Sequence, residues 1–359
     1  MTMRASGGSS AAPGPILDSY EAYGCEVNTI DPAELFELYQ KAGFLSPARL
    51  QRLRPYLPEI EGNWRQAAGN ASIHQAVTFR DPGGAWASIS GWRSTHAGWS
   101  HQHLVSTGGP EVAGAVLLAM QAAKIHDPRC RAGQSWFRRS NQYAGHLLGA
   151  VGAPVGPQHS SASEVDYLAV PVGVRPATTG VVAVVPWTGR QSGLFELAVR
   201  TRGRVYAVAE ELDHEDLLLD EVDQLYRTVG LRRYRLVWLA MLDGYYGPVG
   251  AAIAYRGPLG SDFSFLENRC DLLVEPTLTD EQTYAVTQAL VAAAATAYED
   301  FAPQTMPLVA DDRATPAVLS LGAEPARRYM QGMWLRPGFV SWYRHLERLY
   351  QPPAGRPPS

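Results

Sequence analysis

The stretch that decides the fold runs Trp86-Ala-Ser-Ile-Ser-Gly-Trp-Arg93, a turn from Ser94 to Gly98, Trp99-Ser-His-Gln-His-Leu-Val-Ser106, an elbow Thr107-Gly108-Gly109, and Pro110-Glu-Val-Ala-Gly-Ala-Val-Leu-Leu-Ala-Met120. In its first and third segments large residues alternate with small or polar ones, the pattern of strands. The last segment carries helix signals: Pro110 in the first turn, Glu111 beside it, and Val112, Val116, Leu117 and Met120 at helical spacing. Strand, turn, strand, elbow and long helix are therefore expected over 85–124.

The same plan recurs further along, with strands at 250–256 and 268–275 and a helix at 279–299. The two long helices begin roughly 170 residues apart, far beyond a solenoid period, so the pattern describes a duplicated domain. Each copy then has a strand and a short helix, at 134–139 and 141–148 in the first and at 306–310 and 315–321 in the second. Leu147-Leu-Gly-Ala-Val-Gly-Ala-Pro154 and Val318-Leu-Ser-Leu-Gly-Ala-Glu-Pro325 are the best local match between halves. Upstream, 25–30 reads as a short strand and Asp31-Pro32 as a helix cap and first turn. Ser46-Pro47 starts a second helix that runs toward Trp64, and Asp81-Pro-Gly-Gly84 turns a hairpin. The helix ending at Tyr226 is the second-half counterpart of the one after Asp31. A closing strand of the first half is expected at 164–172, whereas 181–185 and 194–199 suit either half. The division is a disordered tail at 1–20, domains at 21–175 and 176–350, and a flexible Pro-rich tail at 351–359.

A chain of 359 residues can bury two cores. Lys and Arg number 31 against 35 Asp and Glu, a net charge of −4 with no block of one sign, which argues against a nucleic-acid partner. Cys25, Cys130 and Cys270 are widely spaced and read as reduced structural thiols. The start lacks an apolar signal core and the Ala-rich run at 290–297 is too short to span a bilayer, so a soluble cytoplasmic protein with no membrane partner is expected.

The order β-α-α-β-β-β-α-β-α-β, read twice between about Gly24 and Tyr350, resembles the GNAT (N-acetyltransferase) fold in tandem. Arg328-Tyr-Met-Gln-Gly-Met-Trp334 after the Leu-Gly-Ala run is similar to the way many members enter their final hairpin. The resemblance implies an α/β (α+β) class: two GNAT-like domains, each a mixed, mostly antiparallel sheet flanked by helices. It also implies acyl transfer from an acyl-CoA, acetyl or longer, to a small amine. Members hold the pyrophosphate in a loop of the type Gln/Arg-x-x-Gly-x-Gly/Ala, where a helix N-terminus offers unpaired N–H groups. The matching positions here are Ser106, Thr107, Gly108, Gly109 and Gly114, Gly-rich but without the Arg or Gln; the other reading is a plain strand-to-helix turn. In the second half Glu275, Asp280 and Glu281 would repel a pyrophosphate.

His101 and His103 lie two apart on a strand, which places both side chains on one face. The resemblance puts the amine-deprotonating group on this strand, and histidine has a suitable pKa. With His96 nearby a metal is conceivable, but a His-x-His pair without a placed carboxylate is weak evidence and no metal is assigned. Tyr143 stands roughly where members carry a general acid toward the departing thiolate; packing accounts for it equally. Trp92 and Arg93 are candidates for a ligand cleft or for core. Glu267 and Asp271, alternating with Arg269, read as a substrate-facing strip or a self-compensating one. Asp311 closes a strand where such a sheet splays, and is a further substrate candidate. Two function classes remain: an acyl-CoA-dependent N-acyltransferase, or a catalytically inactive GNAT-like protein binding a small ligand or partner protein in the inter-domain cleft. A homodimer fits either.

Overall fold

The computed structural model describes residues 14–149, 152–174, 182–189 and 193–350. The tail through residue 13, the boundary at 175/176, residues 190–192 of the turn at 188–193 and the Pro-rich end lie outside the described residues. The first half contains α1 (Gly14–Glu21), β1 (Glu26–Val27), α2 (Pro32–Lys41), α3 (Pro47–Leu53), α4 (Leu57–Ala68), β2 (His74–Arg80), β3 (Trp86–Arg93), β4 (Gly98–Ser106), α5 (Pro110–His126), β5 (Ala132–Phe137), α6 (Gln142–Gly149), α7 (Gly152–Val155) and β6 (Ser160–Pro171). The second contains β7 (Val182–Pro186), α8 (Leu194–Arg202), α9 (Arg204–Ala209), α10 (Asp220–Arg227), β8 (Tyr234–Leu242), β9 (Gly250–Arg256), β10 (Cys270–Val274), α11 (Asp280–Ala295), β11 (Thr305–Ala310), α12 (Thr315–Ser320), β12 (Glu324–Leu335) and α13 (Phe339–Tyr350).

Local chemistry fixes many of these ends. Asp31 Oδ1 accepts from Ala33 N to start α2, and Thr279 and Gln282 exchange bonds in a capping box at α11. Three expectations are corrected. Gly14–Glu21 is a helix, not part of a tail, because Tyr20 has a buried seat and donates to Gln75 Oε1 at 2.6 Å. The stretch 194–199 is helical: Leu194, Leu197 and Ala198 recur at helical spacing and are all buried. The helix from Ser46 does not reach Trp64 unbroken; a single 3-10 turn at Arg54–Tyr56, containing Pro55, divides α3 from α4.

All twelve strands join one sheet, in the order β1-β2-β3-β4-β5-β12-β6-β11-β10-β9-β8-β7. Its central pair is exchanged between the halves. β12, from the second half, pairs antiparallel with first-half β5, while β6, from the first half, pairs antiparallel with second-half β11; β6 and β12 pair with each other. Each half thus completes its sheet with the other's closing strand. With five strands on either side of that seam, two of them parallel neighbours (β4/β5 and β10/β11), the molecule is a mixed, mostly antiparallel tandem GNAT-like fold.

Helices cover both faces. One core runs from α2 and α4 through Phe263 and Leu259 to α11, joining the halves; on other faces α8 and α9, α1 and α5, and α13 each seal a smaller core. Cys25, Cys130 and Cys270 are buried free thiols. Among the described residues no helix is long and apolar enough to cross a membrane.

Candidate functional site

β4 and β5 stay paired only from Gly98↔Ala132 to Ser100↔Gln134, and beyond that point they diverge. On its other side β4 slips register against β3: Ser88 faces Val105, but Ser90 faces Gln102, so β4 carries one extra residue. His103 sits in that bulge with φ 57°, a left-handed conformation that costs a non-glycine residue about 1 kcal/mol or more. The splay and the bulge together open a cleft of about 400 Å³, within the usual range for small-molecule sites.

The cleft brings together His101, His103 and Tyr143. The two histidines do not share a face, as strict alternation implies, because the bulge turns one of them over. His101, level with Gly91, stacks on Trp334 at 5.5 Å on the α13 side. His103 packs on the α2 side, 4.2 Å from the Phe263 ring and within 6.2 Å of Tyr39. Burial, and then the Lys124 cation, push His101 down to about 3; burial and then Arg49 push His103 well below the usual imidazole range. Both are neutral at physiological pH.

The tautomer of His103 follows from its partners. Ser90 Oγ donates to Gln102 O at 3.2 Å, so the 2.9 Å contact with His103 Nδ1 is a bond from the ring N–H to the hydroxyl. Nε2 is then a lone pair, buried and without a partner.

Tyr143 is 44 % exposed at the α6 edge, and its hydroxyl meets that of Tyr350 at 2.6 Å. Burial raises its pKa against the opposing effect of that bond.

Sequence reasoning missed the residues that complete the cleft. Arg49 and Phe44 come from the α2–α3 corner, Trp136 and Arg138 from β5 and its exit, and Asp262 and Phe263 from a second-half loop. Asp262 Oδ1 accepts from Ser264 N at 2.7 Å and from Leu266 N at 3.1 Å. Burial still outweighs these bonds and pushes its carboxyl up to about 6. An acid in an otherwise apolar Phe-rich loop was the available signal.

The elbow before α5 does not fit a pyrophosphate. Gly108 N donates to Ser106 Oγ, Thr107 N to Trp86 O, and Thr107 Oγ1 accepts from Trp86 N, so the Thr107 and Gly108 N–H groups are already taken. The Glu111 carboxylate lies against Gly109, and a Cβ on Gly114 would meet the Tyr350 ring at 2.6 Å. The ring belongs to α13, which packs along α5 and lends Trp342 and Leu346 to the cleft wall. In the second half Arg313 donates to Pro276 O and Leu278 O and fills the corresponding loop.

The substrate candidates of the sequence lie outside the cleft. Trp92 is core, 4.1 Å from His74 and 5.7 Å from Trp64. Arg93 ties together the carbonyls of Thr95, Ser72 and His96. Glu267 is not on a strand: it lies in a 3-10 turn, fully buried, 3.1 Å from Arg233. Asp271 is fully buried between Arg269 at 2.8 Å and the Tyr206 hydroxyl at 2.8 Å, and Arg269 also reaches Glu210 at 2.7 Å. Asp311 accepts from Arg313 N and Ala314 N and holds the turn that leads into α12. His96 bonds Glu211 at 2.9 Å and Asp216 at 2.8 Å across the two halves, away from His101 and His103. Oxygens of Asp216 and Glu221 lie with His96 within 4.8 Å of one another, but the imidazole is already held by carboxylates on both nitrogens.

No protein-family model and no curated protein matches the chain. Among solved structures it is similar to a tandem GNAT protein from the clavulanic acid biosynthesis pathway, at 13 % identity over 77 % of this chain and 88 % of that one, TM-score 0.39. It is similar also to a Drosophila protein (13 %, 88 % and 99 %, TM-score 0.46) and to a GCN5-related N-acetyltransferase from Kribbella flavida (13 %, 77 % and 95 %, TM-score 0.36).

Proposed function

We propose that the chain binds a small molecule in the β4/β5 cleft, on an N-acetyltransferase-like fold that does not hold coenzyme A through the α5 elbow. The observation that carries this is the contrast at one site: a roomy cleft with an unpartnered His103 Nε2, beside an elbow closed by Glu111, its own hydrogen bonds and Tyr350. The buried free thiols support a reducing, cytoplasmic setting.

A second reading, N-acyl transfer from an acyl-CoA to a small amine, is favoured by Asp262, whose carboxyl near 6 lines the same cleft as His103 and Tyr143 and suits a proton acceptor. Calorimetric titration with acetyl-CoA separates the two. The expected result is no heat, together with thermal shifts from members of a panel of small amines, carboxylates and zwitterions that Ala144→Trp, at the cleft wall, abolishes. Micromolar acetyl-CoA binding lost in Gly109→Glu would overturn the first reading in favour of the second, and a panel without any shift that depends on Ala144 would overturn the first reading by itself.

A further inference from the structure

The cleft holds charges of both signs that form no ion pair among the described residues, although Asp262 and Arg49 act on each other through space. Arg49 donates through Nη1 to Phe44 O at 2.9 Å and lies over the Phe44 ring, but has no ion-pair partner among the described residues. Arg138, at the exit of β5, has none either. Among the described residues the Asp262 carboxylate is bonded only by the backbone N–H groups of Ser264 and Leu266, both on Oδ1. All three line one cavity, and no oxygen of Asp262 comes within ion-pair distance of either guanidinium.

Burying the Asp262 carboxylate without an ion pair is costly unless something pairs with it, and the half-buried Arg49 and Arg138 leave two guanidinium groups facing the same cavity. Arg52 and Arg138 both act on Arg49, and Arg327 on Arg52, so the mouth of the cleft is a region of positive potential although the chain as a whole carries −4. His103 Nε2 offers an acceptor on the Phe263 side, where Asp262 also stands, and the Trp136 N–H is an unpartnered donor. Between the charges the walls are the rings of Phe44, Trp136 and Phe263.

We propose that the ligand is a small zwitterion of the α-amino-acid type with an aromatic or apolar side chain, its carboxylate on Arg49 and Arg138 and its ammonium on Asp262. The assignment rests on the reading of this cleft as the ligand site. Planar guanidinium groups match a carboxylate, and the separated acid excludes ligands with an anion alone.

The test is calorimetry with L-phenylalanine, L-phenylalaninamide and N-acetyl-L-phenylalanine. The free amino acid is expected to bind, and each blocked compound to bind at least about tenfold more weakly, as for loss of one charge-assisted bond. Arg138→Ala, which removes no buried partner, should weaken the amino acid about tenfold and leave the amide unchanged. Asp262→Asn keeps an oxygen for the two N–H groups and should weaken the amino acid while sparing the N-acetyl compound. Equal affinity for the free and either blocked compound overturns the zwitterion, and so does absence of binding by all three. The broader panel with Ala144→Trp judges the cleft separately: if the amide binds as tightly as the acid and Ala144→Trp abolishes that binding, the ligand site stands and the zwitterion does not.

Discussion

The two halves share one plan and differ where their strands part. In the first half β4 carries an extra residue, β4 and β5 separate after Ser100, and a cleft forms. In the second, β10 keeps unbroken register with β9 from Cys270 to Val274, and the residues around its parting from β11 are packed. The charges follow the same division. Arg269, Asp271 and Glu210 are fully buried and bonded to one another, whereas Arg49, Arg138 and Asp262 face a cavity without ion pairs. A duplicated fold thus leaves one copy of its splay open as a cleft and packs the other as a charge-filled buttress, and a single inserted residue marks which is which.

The sharpest way to break this contrast is Arg269→Ala. It strands two buried carboxylates and should cost about 3–5 kcal/mol in urea unfolding, while Arg138→Ala in the cleft should change stability by no more than about 0.5 kcal/mol. Next comes Tyr350→Ala, which removes the ring over Gly114 and the bond to Tyr143. A loss of about 1–2 kcal/mol is expected, with no gain of acetyl-CoA binding, because Glu111 stays.

His96→Ala should cost about 1 kcal/mol at acidic pH. Burial alone would lower the His96 pKa, but Glu211 and Asp216 raise it on balance. A raised folded pKa gives stability that is fully present below the unfolded value near 6.5 and lost as pH rises through the folded value. The two carboxylates, held low, lose their share as pH falls through their own folded values. Thermal unfolding across pH should therefore show the widest gap between wild type and variant at about pH 5 to 6, closing in alkali; a gap that grows toward alkali would refute the clasp. The smallest effect belongs to Arg313→Gln, partly exposed at the second-half loop, at about 0.5–1 kcal/mol. It should not create acetyl-CoA binding, since Asp280 and Glu281 remain.

Much of the fold was legible because it is local. Pro110, Glu111 and the apolar spacing announced α5, and Asp31-Pro32 and Thr279 announced two further helix starts. α13 was readable but unread: Phe339, Trp342 and Leu346 recur at helical spacing after Pro337. What stayed hidden is what only distant contacts create. His101 and His103 obey alternation in the sequence, and nothing in Gln102-His-Leu104 advertises a bulge. Glu267 and Asp271 look like a solvent strip until Arg233, Tyr206 and Glu210 arrive from other elements. Arg49 and Asp262 are separated by more than half the chain and meet only across the cleft. A closing strand carries the same signals whether it closes its own half or the other.

That last exchange sets the order of events in synthesis. β5 ends at Phe137, and its neighbour β12 begins at Glu324, so roughly 190 residues must be made before the first sheet is sealed, a long loop to close and a source of slow folding. Until then the emerging first half has an open edge at β5, the kind of surface that chaperones shield and aggregation exploits. Trp334 and Tyr329, both cleft-wall residues, arrive on that last strand. The cleft is therefore a product of the whole chain: a product cut short before β12 lacks Trp334 and Tyr329, and with them one wall of the cavity.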